Sequence, residues 1–344
     1  MNFVDVSGFG HSGKSVVSDI LREFEGFQVP SHNFEFNLIR IQGGLIDLKH
    51  ALVDNWSPIR SDAAIRRFIK LVHRIGPPAS FSNPKSLFYS NGMNYDNVFK
   101  GRFSEISEAF VRSLIYTEFL ADWPYPLIDD LPSKQFLARF RNVVSAKKKL
   151  INVMITDPKE FEMKATRYLQ DLFGLILEDD KDVMVLHNAV EPFNPRDGLF
   201  LLGDAKLIVV QRDPRDIFAS TIVSEGAFIP DYETKRNWEL KRNMLGNTVD
   251  LFIERQKLYY DHVQADKDND HVLRLRYEDI ILDYNNTLKR LYDFLNVGSQ
   301  SHELKGEFFN PLLSKKNIGL WKSANPADIK KIKNALSDYC YDNG

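Results

Sequence analysis

"VSGFGHSGKS", running from Val6 to Ser15, sets the frame for everything after it. Gly8, Gly13, Lys14 and Ser15 match the P-loop spacing of a glycine, four residues, then Gly-Lys-Ser. Ahead of the loop, "NFVDV" (Asn2–Val6) reads as a buried strand. Behind it, "KSVVSDILREF" carries apolar residues at helical intervals, and "FQVP" (Phe27–Pro30) reads as a second strand. Strand, loop, helix, strand is the βαβ order that aims a helix N-terminus and backbone amides at a phosphate. The amides of Gly10, His11, Ser12, Gly13, Lys14 and Ser15 can form a concave nest, with glycine where a Cβ would block approach. Read alone, this spacing points to a nucleoside triphosphate and magnesium.

The strands resume far downstream. "DVMVLHN" (Asp182–Asn188), "AKLIVVQRD" (Ala205–Asp213) and "HVLRLRYEDI" (His271–Ile280) are apolar runs of the buried parallel type. Helices are expected from Pro214, over Tyr232–Val263, over "NNTLKRLYDFLNV" and from Pro326. From about 55 to 177 the pattern is amphipathic and helical instead, including "SEISEAFVRSLIYTEFLADW" and "SKQFLARFRNVVSAKKKLINVM". The expected class is α/β: a P-loop-type doubly wound parallel sheet flanked by helices, with a helical insertion.

Composition narrows the class. The chain has 344 residues, 45 basic against 47 acidic, and a net charge of −2, so no global field favours nucleic acid. A single cysteine, Cys340, leaves no internal disulfide framework and suits a reducing compartment. No apolar run approaches the ~20 residues of a membrane span, and a loop glycine at Gly8 leaves no room for a signal peptide before it. The expected setting is cytoplasmic.

The second informative stretch is "VVQRDPRDIFAS", Val209 to Ser220. Arg212 leaves the end of a buried strand, where ligands of open α/β sheets collect, and Ser220 lies on the following helix. Together they can grip one phosphate by guanidinium fork and hydroxyl. The plainer alternative makes Arg212, Asp213, Arg215 and Asp216 a strand-end ion-pair cluster and a helix cap.

With these residues in hand, the chain resembles the PAPS-dependent sulfotransferases. "LRYEDIILDYNNTLKRLYDFLNV" (Leu275–Val297) looks like that family's Tyr-Glu-Asp segment and following helix. "NIGLWKS" (Asn317–Ser323) looks like its late Gly-x-Trp-Lys loop. The resemblance implies transfer of a sulfuryl group from 3′-phosphoadenylyl sulfate (PAPS, leaving PAP) to an acceptor hydroxyl or amine, with no metal required. It implies that the loop amides, Lys14 and Ser15 hold the 5′-phosphosulfate. Arg212 and Ser220, with Lys315 and Lys316 as further candidates, then hold the 3′-phosphate. It also implies one domain over 1–344, with the insertion at about 55–177 forming the acceptor side. The acceptor is expected to be a carbohydrate, glycan precursor or small metabolite.

The chain departs from the family pattern at His11, where many relatives carry Lys or Arg. Lys14 stands where relatives often have a small hydroxyl residue, and so takes over the cationic role. The late loop has Ser314, Lys315 and Lys316 in place of an Arg-Lys-Gly triplet. For the general base the candidates are Glu35 and His32 in "VPSHNFEFNLIR", Glu35 being preferred, with His187 third and Asn188 a possible acceptor contact. Trp123, Tyr125 and "FSNPKSLFYSNG" are candidates to line the acceptor cleft, and Phe308 or Phe309 to stack on adenine. "AKKKL" (Ala146–Leu150) reads as a solvated helix face. The competing function is an ATP- and magnesium-dependent small-molecule kinase, which needs a second acidic residue at a strand end. Only Asp213 offers one. A non-catalytic nucleotide-binding module is the third reading.

Overall fold

The computed structural model describes residues 1–31, 34–78, 93–121, 136–137, 149–153, 157–223, 249–265 and 269–341. Strand β1 (Asn2–Gly8) feeds helix α1 (Ser15–Arg22), and β2 (Phe27–Gln28) follows. Then come α2 (Pro58–Ile75), α3 (Phe103–Leu114), β3 (Thr117–Ala121), β4 (Lys149–Val153) and α4 (Pro158–Phe173). The chain continues through β5 (Val183–His187), β6 (Lys206–Gln211), α5 (Pro214–Val223) and α6 (Val249–Ala265). It ends with β7 (Val272–Arg276), α7 (Tyr277–Leu282), α8 (Tyr284–Leu295) and α9 (Pro326–Ala335).

Contacts cluster into two units, one of Asn2–Phe36, Asp179–Leu199 and Asp204–Gly344, the other of Asn37–Glu178 with Phe200–Gly203. The first holds a five-stranded sheet in the order β2-β5-β1-β6-β7, every pair parallel. This is the expected doubly wound α/β class. The first connection leaves β1 toward one edge, and β6 is followed by a strand on the other side. The switch point therefore falls between the carboxyl ends of β1 and β6, where Gly8 pairs with Val210.

Alternate strand residues build one face of the core: Val4 and Val6, Val185, Ile208 and Val210, and Leu275. Against them α1 lays Val17, Ile20 and Leu21, all fully buried at the i, i+3, i+4 spacing, and α8 lays Leu288, Leu291 and Leu295. Each such aliphatic side chain contributes roughly 1.5–3 kcal/mol by leaving water. A second cluster joins α5, α6 and α9 through Ile217, Phe252, Ile253, Ile329 and Ile332. The helix starts follow the sequence signals: Pro326 opens α9 behind Asn325, whose side chain caps the amides of Ala327 and Asp328.

In the other unit, Ser57 caps α2 and Asp157 caps α4, each ahead of a proline. Phe110 of α3 stacks on Tyr168 of α4 at 4.6 Å, and the Tyr168 hydroxyl meets Ser107 at 2.7 Å. Two expectations fail here. Thr117–Ala121 and Lys149–Val153 form an antiparallel pair, Thr117 opposite Val153, where the sequence suggested helix. "TEFLA" and "KLINV" hold aromatic and β-branched residues, and cross-strand pairing outweighs a short helical periodicity. A third correction falls on "YEDI": the strand stops at Arg276 and Tyr277–Leu282 is helical, its first turn carrying Glu278 and Asp279 as the helix dipole favours. Positions 81–92, Trp123, Tyr125 and 146–148 lie outside the described residues, as does the 232–248 part of the expected polar helix.

Candidate active site

Two glycines of the phosphate loop are fixed by steric exclusion. At Gly8 a Cβ would run into Ser12 Oγ and sit 2.8 Å from the Val210 carbonyl oxygen. At Gly13, with φ +82°, the space is taken by the Tyr277 ring. Above Gly10, by contrast, nothing among the described residues lies within 4 Å, so a ligand can approach the backbone there. The loop closes on itself through Ser12 N–H donating to Phe9 O at 3.0 Å, and His11 takes a left-handed φ of 63°. Lys14 precedes the first helical residue of α1 without a side-chain cap. In its first turn Val16 N–H donates to Gly13 O at 3.2 Å and Val17 N–H to Lys14 O at 3.0 Å, and the positive end of the helix dipole favours an anion at the loop.

Lys14 Nζ donates to Glu35 Oε1 at 3.0 Å, and Asn188 Nδ2 donates to the same oxygen at 2.8 Å. Asn188 Oδ1 in turn accepts from Gly8 N–H at 3.3 Å. Glu35 is thus tied to the loop lysine and, through Asn188, to the loop's first glycine. His187 meets Ser18 Oγ at 3.1 Å through Nδ1 and is buried, which makes it a packing residue of α1. Below the loop, buried Asp5 accepts the amides of Ala189 and Val190, each at 3.0 Å. Burial pushes the Asp5 carboxyl above its ordinary range, against the bonds from Ser7 and these amides. His32 lies outside the described residues.

At the end of β6, Arg212 gathers three segments. Its Nη1 donates to His11 O at 3.0 Å and to Ser220 Oγ at 3.1 Å. Its Nη2 donates to Asn317 O at 2.5 Å, and its guanidinium lies 4.8 Å from the Tyr277 ring centroid. Its Nε is buried without a hydrogen-bond partner among the described residues. The neighbouring charges belong to another task. Asp213 is consumed by the Arg215 guanidinium at 2.6 Å and by the Tyr341 N–H at 2.9 Å. Asp216 accepts the amides of Gly319 at 2.9 Å and Trp321 at 3.0 Å, with Arg215 4.5 Å from the Trp321 ring. The cluster-and-cap alternative thus describes Asp213, Arg215 and Asp216, while the hydrogen bonds of Arg212 go to neutral oxygens. With Asp213 so engaged, the one acidic strand-end candidate for magnesium is spoken for.

His11 sits between these parts. Burial first, and the Arg212 charge second, hold its imidazole below the usual histidine range. Ser15 is exposed at the start of α1, and Lys315 and Lys316 are exposed on a short 3₁₀ turn just before Asn317. Phe309 is core, packed near Tyr284 at 5.7 Å, so it is not available for stacking; Phe308 is half exposed. Sequence reasoning missed Tyr277 as the ring between Gly13 and Arg212, and Asn317 as a carbonyl partner. Tyr277 was the first letter of the Tyr-Glu-Asp motif, which could have flagged it.

Residues 178–308 match the family model for the sulfotransferase domain, a span that includes Arg212, Ser220 and Tyr277. Over that span, which is less than half of the chain, the sequence is similar to the sulfotransferase domain. No curated protein matches the chain. Among solved structures, the sulfotransferase domain of the Synechococcus PCC 7002 olefin synthase is 12% identical, covering 100% of this chain and 96% of that one, TM-score 0.41. The sulfotransferase domain from the curacin biosynthetic pathway is 13% identical, with coverage of 98% and 97% and a TM-score of 0.41. Sulfotransferase STF9 from Mycobacterium avium is 13% identical, with coverage of 97% and 75% and a TM-score of 0.39. At such values the weight rests on the domain match. Among the described residues no helix is long and apolar enough to cross a membrane.

Proposed function

We propose that the chain transfers a sulfuryl group from PAPS to a hydroxyl or amine of a carbohydrate or small metabolite in the cytoplasm. The observation that carries this reading is the junction of Arg212, Ser220 and the His11 carbonyl at the edge of the phosphate loop. Read as two phosphate sites, the loop and the Arg212–Ser220 pair are linked through the Arg212–His11 bond, which suits a donor with phosphates at both 5′ and 3′ positions. Open space above Gly10 and the buried, unpartnered Arg212 Nε fit such a ligand.

The donor supplies an activated sulfuryl group on a phosphate leaving group. The chain does the rest. The loop amides, Lys14 and Ser15 neutralise the 5′ side, and Arg212 with Ser220 anchors the 3′-phosphate, with Lys315 and Lys316 close in sequence to Asn317. Glu35 takes the acceptor proton as the new S–O bond forms. Its bonds to Lys14 and Asn188 fix the carboxylate's direction beside the loop. A neutral His11 donates one hydrogen bond to the departing phosphate.

Thermal-shift titration tests the reading, since a ligand bound only by the folded state raises Tm. PAP should raise Tm without added metal. Stabilisation by ATP with magnesium alone, and none by PAP, would overturn it in favour of a kinase. Mass spectrometry of PAPS with a mixed acceptor library then identifies the acceptor.

A further inference from the structure

Beyond the loop and Arg212, one segment reaches the donor-side residues from the far end of the described chain. Tyr341 donates its N–H to Asp213 Oδ2 at 2.9 Å, and its carbonyl accepts from Arg215 Nη2 at 3.2 Å. The buried Asp213–Arg215 pair thus grips a single residue's backbone by both polar groups. The Tyr341 hydroxyl donates to Asp279 Oδ1 at 2.9 Å, and its ring lies 5.1 Å from the Arg276 guanidinium. Arg276 also donates to Tyr339 O at 2.9 Å, and Tyr339 stacks on Tyr260 at 3.7 Å and 6°.

We propose that Tyr341 is a positioning residue for the 3′-phosphate subsite, acting on Arg212 through Asp213 and on Tyr277 through Asp279. Asp213 is the residue next to Arg212, and its own N–H is fixed by Glu278 Oε1 at 2.8 Å. Asp279 lies in the first turn of α7, whose first residue, Tyr277, supplies the ring beside the guanidinium. One side chain and its peptide therefore tie down both the strand end that carries Arg212 and the helix start that carries its aromatic wall. The arrangement also keeps Asp213 occupied: its carboxylate is bonded to the Arg215 guanidinium and the Tyr341 N–H. The Tyr341 phenol, pushed up to about 12 mainly by burial and then by Asp279, stays a donor across the working pH range.

The proposal rests on the sulfotransferase reading, and the test separates the two. Affinities for PAP and for 5′-AMP, which lacks the 3′-phosphate, are measured by calorimetry on the full chain. The wild-type protein should prefer PAP; equal affinity would sink the assignment of Arg212 to the 3′-phosphate, and this proposal with it. Given that preference, Tyr341→Ala should weaken PAP about tenfold, the scale of one misdirected charge-assisted hydrogen bond, and leave 5′-AMP within about twofold. Tyr341→Phe, which loses only the hydroxyl, should show a smaller loss with the same selectivity, and it carries the test if the alanine variant fails to fold. Adding Tyr341→Ala to Arg212→Ala should cost PAP nothing further, because the positioned group is gone. Unchanged PAP affinity in both Tyr341 variants, or equal losses for PAP and 5′-AMP, overturns the proposal.

Discussion

His11 stands where the sequence resemblance led to the expectation of a cation, and its surroundings say what that means. Burial and the Arg212 guanidinium both disfavour its charged form, so the ligand-free loop holds a neutral imidazole at pH 7. The unfolded chain binds this proton near pH 6.5, so the unfolded state carries more protons between the lowered folded value and 6.5. Stability should therefore rise with pH through that window and level off above it. His11→Asn, chosen because asparagine tolerates the left-handed backbone there, should flatten the Tm-against-pH curve between 5.5 and 7 relative to wild type. An identical slope would place the titration elsewhere. At Arg212, replacement by alanine should weaken PAP by about 2–3 kcal/mol, or 30- to 150-fold, while near-wild-type circular dichroism shows the fold retained. At Glu35, glutamine keeps an oxygen for Lys14 and Asn188 but cannot take a proton. Single-turnover rates should fall by roughly 10²–10⁴ with PAP affinity nearly constant. Wild-type turnover would remove Glu35 as the base.

At the scale of elements, helix α1 works because its two ends are held differently. Its N-terminal turn opens on the loop, while Glu23 beyond its last turn is buried and accepts His302 Nε2 at 2.7 Å and the amides of Phe308 and Phe309. Gly13 is the tight point of this element. Gly13→Ala would force a side chain at φ +82° into the Tyr277 ring, at a cost of more than about 1–3 kcal/mol from the backbone alone. Chemical denaturation should show that loss, and PAP binding should fall with it as Tyr277 is displaced from Arg212. The β1–loop–α1 unit and the parallel strands were legible because glycine spacing and buried apolar runs are local signals. The meeting of Arg212 with Ser220 was legible for the same reason, both being on one strand–helix connection. The β3–β4 pair was not, since its signal lies in pairing between segments that individually look helical. Tyr341 was not either, nor were the backbone partners of Asp216: such bonds join distant segments, and no sequence pattern marks them.

At the scale of the whole molecule, the charge balance bears on how an anionic donor arrives. With 45 basic and 47 acidic residues, the net charge is −2, so a highly charged anion meets no attractive field at long range. Attraction begins where Lys14 and Arg212 are close enough to be felt, within a Debye length of about 8 Å at 0.15 M salt. Steering should then be weak and local binding strong. The expected result in stopped-flow measurements is an association rate for PAP that changes by less than about tenfold between 0.05 and 0.5 M NaCl, with affinity carried mainly by slow dissociation. Lys14→Gln should raise the dissociation rate more than it lowers the association rate, because it removes a contact made after encounter. A steep salt dependence of association, or a Lys14→Gln effect confined to the association rate, would mean that a wider basic surface gathers the ligand. The subsites at the carboxyl ends of β1 and β6 would then be incomplete as drawn.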